Sequence, residues 1–123
     1  MGPCTLGPMI VIAGSLELDP DQREAALVAG KPFIDGALTQ RGCRHYTWTP
    51  DPFDKGRIWV YELWDDEDAL AAHFQNHHYA DMGANLGRHG IRGSQISKFR
   101  VDHEEPVYDE TGSPRADFFT VSD

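Results

Sequence analysis

The sequence predicts an α+β fold in which helices cover one face of a four-stranded antiparallel sheet. The clearest signal is residues 57–64, RIWVYELW, which are rich in β-branched and aromatic residues and alternate as a strand does. From Asp65 the apolar residues recur at three and four positions, which is typical of a helix. Both faces of the strand are mostly apolar, so it needs cover on both sides.

Length and composition limit the chain to one domain and exclude several partners. The 123 residues support a single modest core, and 40% hydrophobic with 25% charged residues is ordinary for a soluble globular protein. The formal net charge of −9 argues against nucleic acid or an anionic membrane as a partner, because phosphate binding needs a basic face. No apolar run reaches the roughly 18 residues of a spanning helix, and the start lacks the basic region of a signal peptide. We therefore expect a cytoplasmic protein.

The first third of the chain predicts a leader, a strand and a helix. Residues 1–8 are expected to form a flexible leader, and residues 9–18 are apolar enough for a central strand. Asp19, Pro20 and Gln22 favour a helix start, with an acidic N-cap, a proline at the first helical position and a capping-box partner. We expect Gly42 to end this helix and Pro32 to kink or split it.

The remaining elements complete the order βαββαβ. The segments 43–49 and 57–64 flank the loop PDPFDKG and should pair as a hairpin. A helix from Asp66 to Asn76, a further helical turn or short helix, and a last strand at 91–101 follow. This order is the ferredoxin-like arrangement, with both helices on one face of the sheet, and it assigns residues 9–101 to one domain.

The sheet face opposite the helices is too apolar to remain in water. The third strand must leave one of two alternate sets uncovered: either Trp59, Tyr61 and Leu63 or Ile58, Val60 and Trp64. Packing two such faces together on a two-fold axis would bury them, so we expect a homodimer.

The last 22 residues, 102–123, form a tail of distinct composition. It carries seven acidic residues and one arginine, which gives a net charge of −6. Its apolar pairs, Val107-Tyr108 and Phe118-Phe119, are unusual for an acidic disordered end, so we expect the tail to pack on the dimer.

Three residues near the strand–helix junction are candidates for chemistry. His73 lies on the helix stripe that faces the sheet, and its ordinary pKa near 6.5 suits a base or a hydrogen-bond donor. Trp64 offers an aromatic ring for stacking and an indole N–H. Glu62 shares a strand face with Trp64 and can orient His73, or act as the base itself if burial raises its pKa.

Each candidate also has a purely structural interpretation. Trp64 can be core packing, and Glu62 can pair with Arg92 or Arg100 on the last strand. His77 and His78 are expected in solvent, because adjacent helix residues cannot both face inward. The predicted pocket wall consists of Phe33, His45, Tyr46, Asn76, His78, Tyr79 and Met82, and one of His45 and Tyr46 must face the helices. Both cysteines, Cys4 and Cys43, are interpreted as free thiols, the second one buried.

The junction carries a recognisable series of residues: Tyr61-Glu62-Leu63-Trp64, Ala69-Leu70, His73 and His78-Tyr79. The series resembles the antibiotic biosynthesis monooxygenase family, and the likeness extends over residues 9–101. This resemblance implies a dimeric α+β barrel. Relatives it implies include cofactor-free monooxygenases acting on quinols and polycyclic phenols, haem-degrading enzymes and small proteins without a known reaction. Haem breakdown is disfavoured, because the position of the axial histidine in those relatives falls at Gly83.

The resemblance, together with these candidate residues, implies a cofactor-independent monooxygenase that acts on a small aromatic quinol or phenol with molecular oxygen. A deprotonated, electron-rich phenol can give an electron to oxygen directly, so a dry pocket, a base and donors for the anion suffice. No metal site is predicted, because His73 and His77 lack the glutamate of an H-E-x-x-H motif. If His73 is the base, the rate should rise with an apparent pKa of about 6 to 8. The alternatives are a binding barrel for a small hydrophobe without chemistry, and a non-oxidative isomerase, cyclase or decarboxylase.

Overall fold

The computed structural model describes residues 8–121, and the predicted order of elements is confirmed. The strands are β1 (Met9–Leu18), β2 (Cys43–Pro50), β3 (Arg57–Trp64) and β4 (Ile91–Val101), and the helices are α1 (Arg23–Leu38), α2 (Glu67–Gln75) and α3 (His77–Arg88). The sheet order is β2-β3-β1-β4 and all neighbours are antiparallel. This is the ferredoxin-like α+β fold. Of the predicted leader, only Pro8 lies among the described residues.

The helices cover the β2, β3 and β1 part of the sheet on one face only. On β3 the set buried under the helices is Ile58, Val60, Glu62 and Trp64. The opposite set leaves Trp59 and Tyr61 exposed, although Leu63 is buried. The described chain therefore has one covered sheet face and one largely bare face that carries aromatic side chains.

Helix α1 begins later and ends earlier than the sequence predicts. Asp19 does not cap this helix. The Asp19 side chain accepts a hydrogen bond from the backbone N–H of Asp21, and the backbone N–H of Asp19 donates to the carbonyl oxygen of Gly90. Because these bonds hold Asp19 in a turn, α1 starts at Arg23. It ends at Leu38 and continues through Pro32 without a split. Gly42 instead serves the turn into β2, with a φ of 80°.

Helix α2 begins as the sequence predicts, and α3 is longer than expected. The Asp66 side chain accepts a hydrogen bond of 2.7 Å from the Ala69 N–H, which caps α2. The segment predicted as a turn or short helix is the 12-residue helix α3. Of the helices described, none is long and apolar enough to cross a membrane.

Strands β1 and β4 approach each other closely at Gly14. This residue has a φ of 154°, and a Cβ added there would collide with the backbone of Gln95 and Ile96 on β4. A side chain would therefore force the central strand β1 away from its hydrogen-bonded neighbour, the edge strand β4.

We predict that Gly14→Ala lowers the free energy of unfolding by about 3 kcal/mol, from backbone strain and the collision with β4. Urea denaturation followed by circular dichroism measures the change. Gly93→Ala is the matched control, since an added Cβ there meets nothing within 4 Å; its effect should stay within about 0.5 kcal/mol. Equal losses in the two variants would contradict the prediction.

Candidate functional site

A cleft of about 390 Å³ lies between the covered face of the sheet and α3. Its wall is mostly apolar and is formed by Ile12, Leu16, Tyr46, Trp48, Val60, Glu62, Phe74, Tyr79, Ala80, Met82, Gly83, Leu86, Ser94 and Ile96. No lysine or arginine is among these residues, and Glu62 is their one carboxylate. The cleft therefore suits an uncharged aromatic or aliphatic molecule.

The strand register decides which polar side chains face the cleft. Glu62 on β3 lies opposite Tyr46 on β2 and Ile12 on β1. Directly opposed residues project to the same sheet face, so Tyr46 stands beside Glu62. The β2–β3 register shifts by one residue between Cys43 and His45, which is a β-bulge at Arg44. Because of this bulge Tyr46 faces the helices and His45 lies on the bare face, with its ring centroid 5.7 Å from that of Tyr61.

Glu62 is a buried carboxyl group without a cationic partner. It is only 6% exposed, and its Oε1 accepts a hydrogen bond of 2.9 Å from the Trp64 indole N–H. Burial raises the pKa of Glu62 to about 7, against a smaller lowering by the Trp64 bond. The expected pairing with Arg92 or Arg100 is wrong: Arg92 lies 3.9 Å from Asp19. Glu62 can therefore gain and lose a proton near neutral pH.

His73 lies behind Trp64 rather than on the wall of the cleft. It is 1% exposed, its ring stacks against Trp64 with centroids 4.6 Å apart, and its Nδ1 is 2.9 Å from Gln40 Oε1. With the Gln40 amide in this orientation its oxygen accepts, and His73 Nδ1 is the donor. Burial lowers the pKa of His73 to about 4, with a smaller contribution from His78. The imidazole is therefore neutral at pH 7.

Tyr46 and Trp48 add two donors beside Glu62. Tyr46 is buried, and burial together with the Glu62 charge raises the pKa of its hydroxyl well above the usual range. The Trp48 indole partly offsets this rise, yet its buried N–H has no hydrogen bond of normal geometry to a described residue. An unbonded donor in an apolar wall is available to a ligand oxygen.

Three of the seven residues predicted for the pocket wall line the cleft, and several residues that line it were not predicted. Tyr46, Tyr79 and Met82 line the cleft with Glu62. Sequence reasoning missed Trp48, which shares the inward set of β2 with Tyr46, and Phe74 on the apolar stripe of α2. It also missed Gln40, for which the sequence carries no signal.

Four predicted wall residues do not line the cleft. Besides His45 on the bare face, Phe33 packs half-buried in the core under α1, and Asn76 Oδ1 accepts from the His78 N–H at the start of α3. His78 is half-buried against Gly36 of α1, which corrects the expectation that it lies in solvent. His77 is exposed, with Nδ1 3.0 Å from an oxygen of Asp81.

Cys43 is a free thiol that is half-buried rather than buried. Burial, followed by the charge of Glu62, raises its pKa to about 11, so the reactive thiolate is scarce at neutral pH.

Within residues 8–121, no three His, Cys, Asp or Glu side chains are grouped so as to hold a metal ion.

Comparison with known proteins assigns the family. Residues 9–85 match the antibiotic biosynthesis monooxygenase family. The chain belongs to this family. An uncharacterized protein from Synechocystis sp. is 29% identical over 73 residues, which cover 59% of this chain and 50% of that protein. The match thus spans about half the length of this curated relative.

Solved structures of similar proteins agree on the fold. A conserved protein from Methanosarcina mazei Go1 superposes with a TM-score of 0.70 at 19% identity, over 77% of this chain and 94% of that one. A candidate antibiotic biosynthesis monooxygenase from Chloroflexus aurantiacus J-10-fl gives a TM-score of 0.64 at 26% identity, over 80% of this chain and 97% of that one. Both likenesses support the ferredoxin-like assignment.

The two shifted pKa values predict opposite dependences of stability on pH. Folding raises the pKa of Glu62 from 4.5 to about 7, so stability is lost as pH rises through this range. Folding lowers the pKa of His73 from 6.5 to about 4, so stability is lost as pH falls through that range. Between pH 4.5 and 6.5 both groups titrate, and their opposite effects on the free energy of unfolding offset each other. Above pH 6.5 only the loss of stability from the ionisation of Glu62 remains.

We predict that Glu62→Gln gains stability relative to the wild type as pH rises from 4.5 to 8, by on the order of 2 kcal/mol, because it removes the ionisation of a buried carboxyl. Urea titrations at several pH values measure the difference. The exposed Glu110→Gln is the control and should follow the wild type. If the Glu62→Gln and wild-type curves stay parallel across this range, the pKa of Glu62 is not raised.

Proposed function

We propose that this protein is a cofactor-independent monooxygenase that acts on a small, uncharged aromatic phenol or quinol with molecular oxygen. The observation that carries the proposal is Glu62, a carboxyl group with a pKa of about 7 in the wall of an apolar, aromatic-lined cleft. Membership of the antibiotic biosynthesis monooxygenase family supports the reaction class.

Glu62 is the base in this mechanism. Its Oε1 is held by the Trp64 N–H, and no described residue bonds the other carboxyl oxygen, which leaves that oxygen for the substrate. The carboxylate removes the proton of a phenolic hydroxyl. The Trp48 N–H and the Tyr46 hydroxyl are the nearby donors for the resulting phenolate, and burial strengthens such bonds.

The oxidation needs no electrons from outside the substrate. The phenolate transfers an electron to oxygen, and recombination forms a C–O bond and a hydroperoxide. The O–O bond then breaks: one oxygen atom stays in the product as a carbonyl or hydroxyl, and the other leaves as water with protons from the substrate, one of which passes through Glu62. A quinol plus O₂ thus becomes a hydroxyquinone plus water.

Trp64 and His73 act as positioning residues in this proposal. The Trp64 indole fixes Glu62, the His73 ring supports the indole, and Gln40 fixes the orientation of His73. This assignment differs from the expectation that His73 is the base, because its pKa of about 4 makes it a weak one.

A titrating carboxyl also favours an enzyme over a passive binding barrel. Burying Glu62 destabilises the fold at neutral pH, and storage of a hydrophobe does not require that group. A non-oxidative isomerase or cyclase would use the same base, and oxygen consumption separates it from a monooxygenase.

We predict oxygen uptake with members of a panel of hydroquinones and anthrones, with kcat rising through an apparent pKa of about 7. Glu62→Gln should lower kcat by roughly 10²- to 10⁴-fold and remove this pH dependence. Trp48→Phe should lower kcat by about 10²-fold through loss of one donor. His73→Asn should keep the pH dependence, and Glu110→Gln is the control. If the rise of kcat with pH were lost in His73→Asn and kept in Glu62→Gln, His73 would be the base. Saturable binding of these compounds without oxygen uptake would make the protein a binding barrel.

We also predict a homodimer built on the bare sheet face, because exposed Trp59, Tyr61 and Phe99 are costly in water. Light scattering should give twice the chain mass of 13.8 kDa. Tyr61→Arg should halve that mass or unfold the protein, whereas Phe53→Arg, on a loop residue that is 95% exposed, should leave the dimer intact. A folded wild-type monomer at micromolar concentration would exclude this interface.

A further inference from the structure

The cleft opens to solvent between helix α3 and the edge strand β4. Its wall at this place consists of Ala80 and Gly83 from the helix and of Ser94 and Ile96 from the strand. All four residues are exposed, whereas Glu62 in the wall on β3 is buried. We call this opening the mouth of the cleft.

Gly83 lies on the side of α3 that borders the mouth. On the opposite side of the helix, Met82 and Asn85 pack against Gly30 of α1. Leu86, which follows Met82 by about one turn, is buried in the core under the helix. Since successive helix residues are rotated by about 100°, Gly83 lies beyond Leu86 on the side turned away from α1. Helix α1 contacts β2 and α3 contacts β4, at opposite edges of the sheet, so Gly83 is turned toward β4.

The absence of a side chain at Gly83 keeps the mouth open. A Cβ added at this residue would meet nothing within 4 Å, apart from its chain neighbours and the backbone of its own helix. By contrast, a Cβ added at Gly36 of α1 would collide with the ring of His78. A larger residue at position 83 would therefore project into the mouth without disturbing the packing of the protein.

The mouth and Glu62 lie at different ends of the cleft. On β1, Ile12 is opposite Glu62 of β3, and Leu16 is opposite Ser94 of β4. The two rows are separated by four residues of β1, about 14 Å along the strands, and β3 and β4 are two strand spacings apart, about 10 Å across the sheet. A phenol whose hydroxyl contacts Glu62 therefore presents its far end to the mouth.

We propose that Gly83 is the specificity-determining residue of the cleft, and that it admits phenols with an apolar extension on the side away from the reacting hydroxyl. The extension lies between the backbone at Gly83 and the side chain of Ile96, because a glycine lets a ligand approach the backbone closely. The inference deepens the proposed function and rests on it in one respect, which is that the hydroxyl of the bound molecule lies at Glu62.

Binding of a matched series of phenols tests the proposal. The probes are phenol, 2-naphthol, whose second ring points away from the hydroxyl, and 1-naphthol, whose second ring lies beside it. Dissociation constants are measured by isothermal titration calorimetry without oxygen. We expect the wild type to bind 2-naphthol more tightly than either of the other two. Failure of the wild type to bind any of the three, or tighter binding of 1-naphthol, would overturn the proposal.

The variant Gly83→Leu fills the mouth, and Gly87→Leu is its matched control. Gly87 lies one turn further along α3, has equally open space around an added Cβ, and is not in the wall of the cleft. The ratio of the dissociation constants of 2-naphthol and phenol should rise at least about tenfold in Gly83→Leu, because the second ring meets the new side chain. In Gly87→Leu it should stay within about twofold. Equal ratios in the two variants would contradict the proposal.

Two further measurements separate a blocked mouth from a damaged fold. Both leucine variants should melt at or above the temperature of the wild type, since leucine favours a helix more than glycine does. Adding Ile96→Ala to Gly83→Leu should restore at least about threefold of the lost affinity for 2-naphthol, because it opens space across the mouth. Without such recovery the lost affinity does not arise at the mouth, and the proposal fails.

The binding measurements do not depend on turnover. If the ratios change as expected and no phenol supports oxygen uptake, the proposed function is wrong and the role of Gly83 stands. If the wild type consumes oxygen with these phenols and Gly83→Leu binds them with the wild-type ratio, the role of Gly83 is wrong and the proposed function stands.

Discussion

The Glu62 carboxyl group is held on the central strands of the sheet by the Trp64 indole and not by a cation. A carboxyl buried without a counter-charge stays protonated until the pH approaches its raised pKa, and the base proposed for this protein depends on that property. The residues packed around Glu62 keep it free of a positive charge. His73 stacks on Trp64 and is fixed by Gln40, so the indole cannot turn away, and the neutral imidazole adds no positive charge that would lower the pKa of Glu62. A cation at this place would favour the carboxylate and remove its affinity for a proton near neutrality.

The two faces of the sheet differ in what they carry. The covered face supplies the core and the cleft, and the apolar wall excludes water from Glu62. The bare face carries the exposed Trp59, Tyr61 and Phe99, on which the proposed homodimer would be built. Residues 102–121 are held together by contacts within the segment, such as that of the Arg115 guanidinium, 4.9 Å from the centroid of the Phe119 ring.

The periodicity of apolar residues was sufficient to predict the fold but did not predict the local contacts. The alternation of residues in β3 and the helical spacing after Asp65 reflect which side chains are buried, and this is visible in the order of apolar and polar residues. The start of α1 depends on a bond between Asp19 and Gly90, which are distant in sequence, and propensity at Asp19 gave the wrong boundary. The inward choice between His45 and Tyr46 depends on the bulge at Arg44, which no pattern in β2 indicates. The partner of Glu62 is two residues away, but the sequence offered Arg92 and Arg100 as equally reasonable choices.

The bulge at Arg44 decides which side chains of β2 line the cleft. If β2 continued in the register of Cys43 opposite Trp64, the inward set would become His45, Thr47 and Thr49 in place of Tyr46, Trp48 and Pro50. An aromatic wall would thus be replaced by a small, polar one that contains an imidazole, while the core elements stay where they are. Deleting Arg44 would remove the bulge and leave Tyr46 opposite Glu62, so the change of register requires a change of length elsewhere in the β2–β3 hairpin. A shift of this kind would alter the chemical character of the cleft wall without any substitution at the cleft positions themselves.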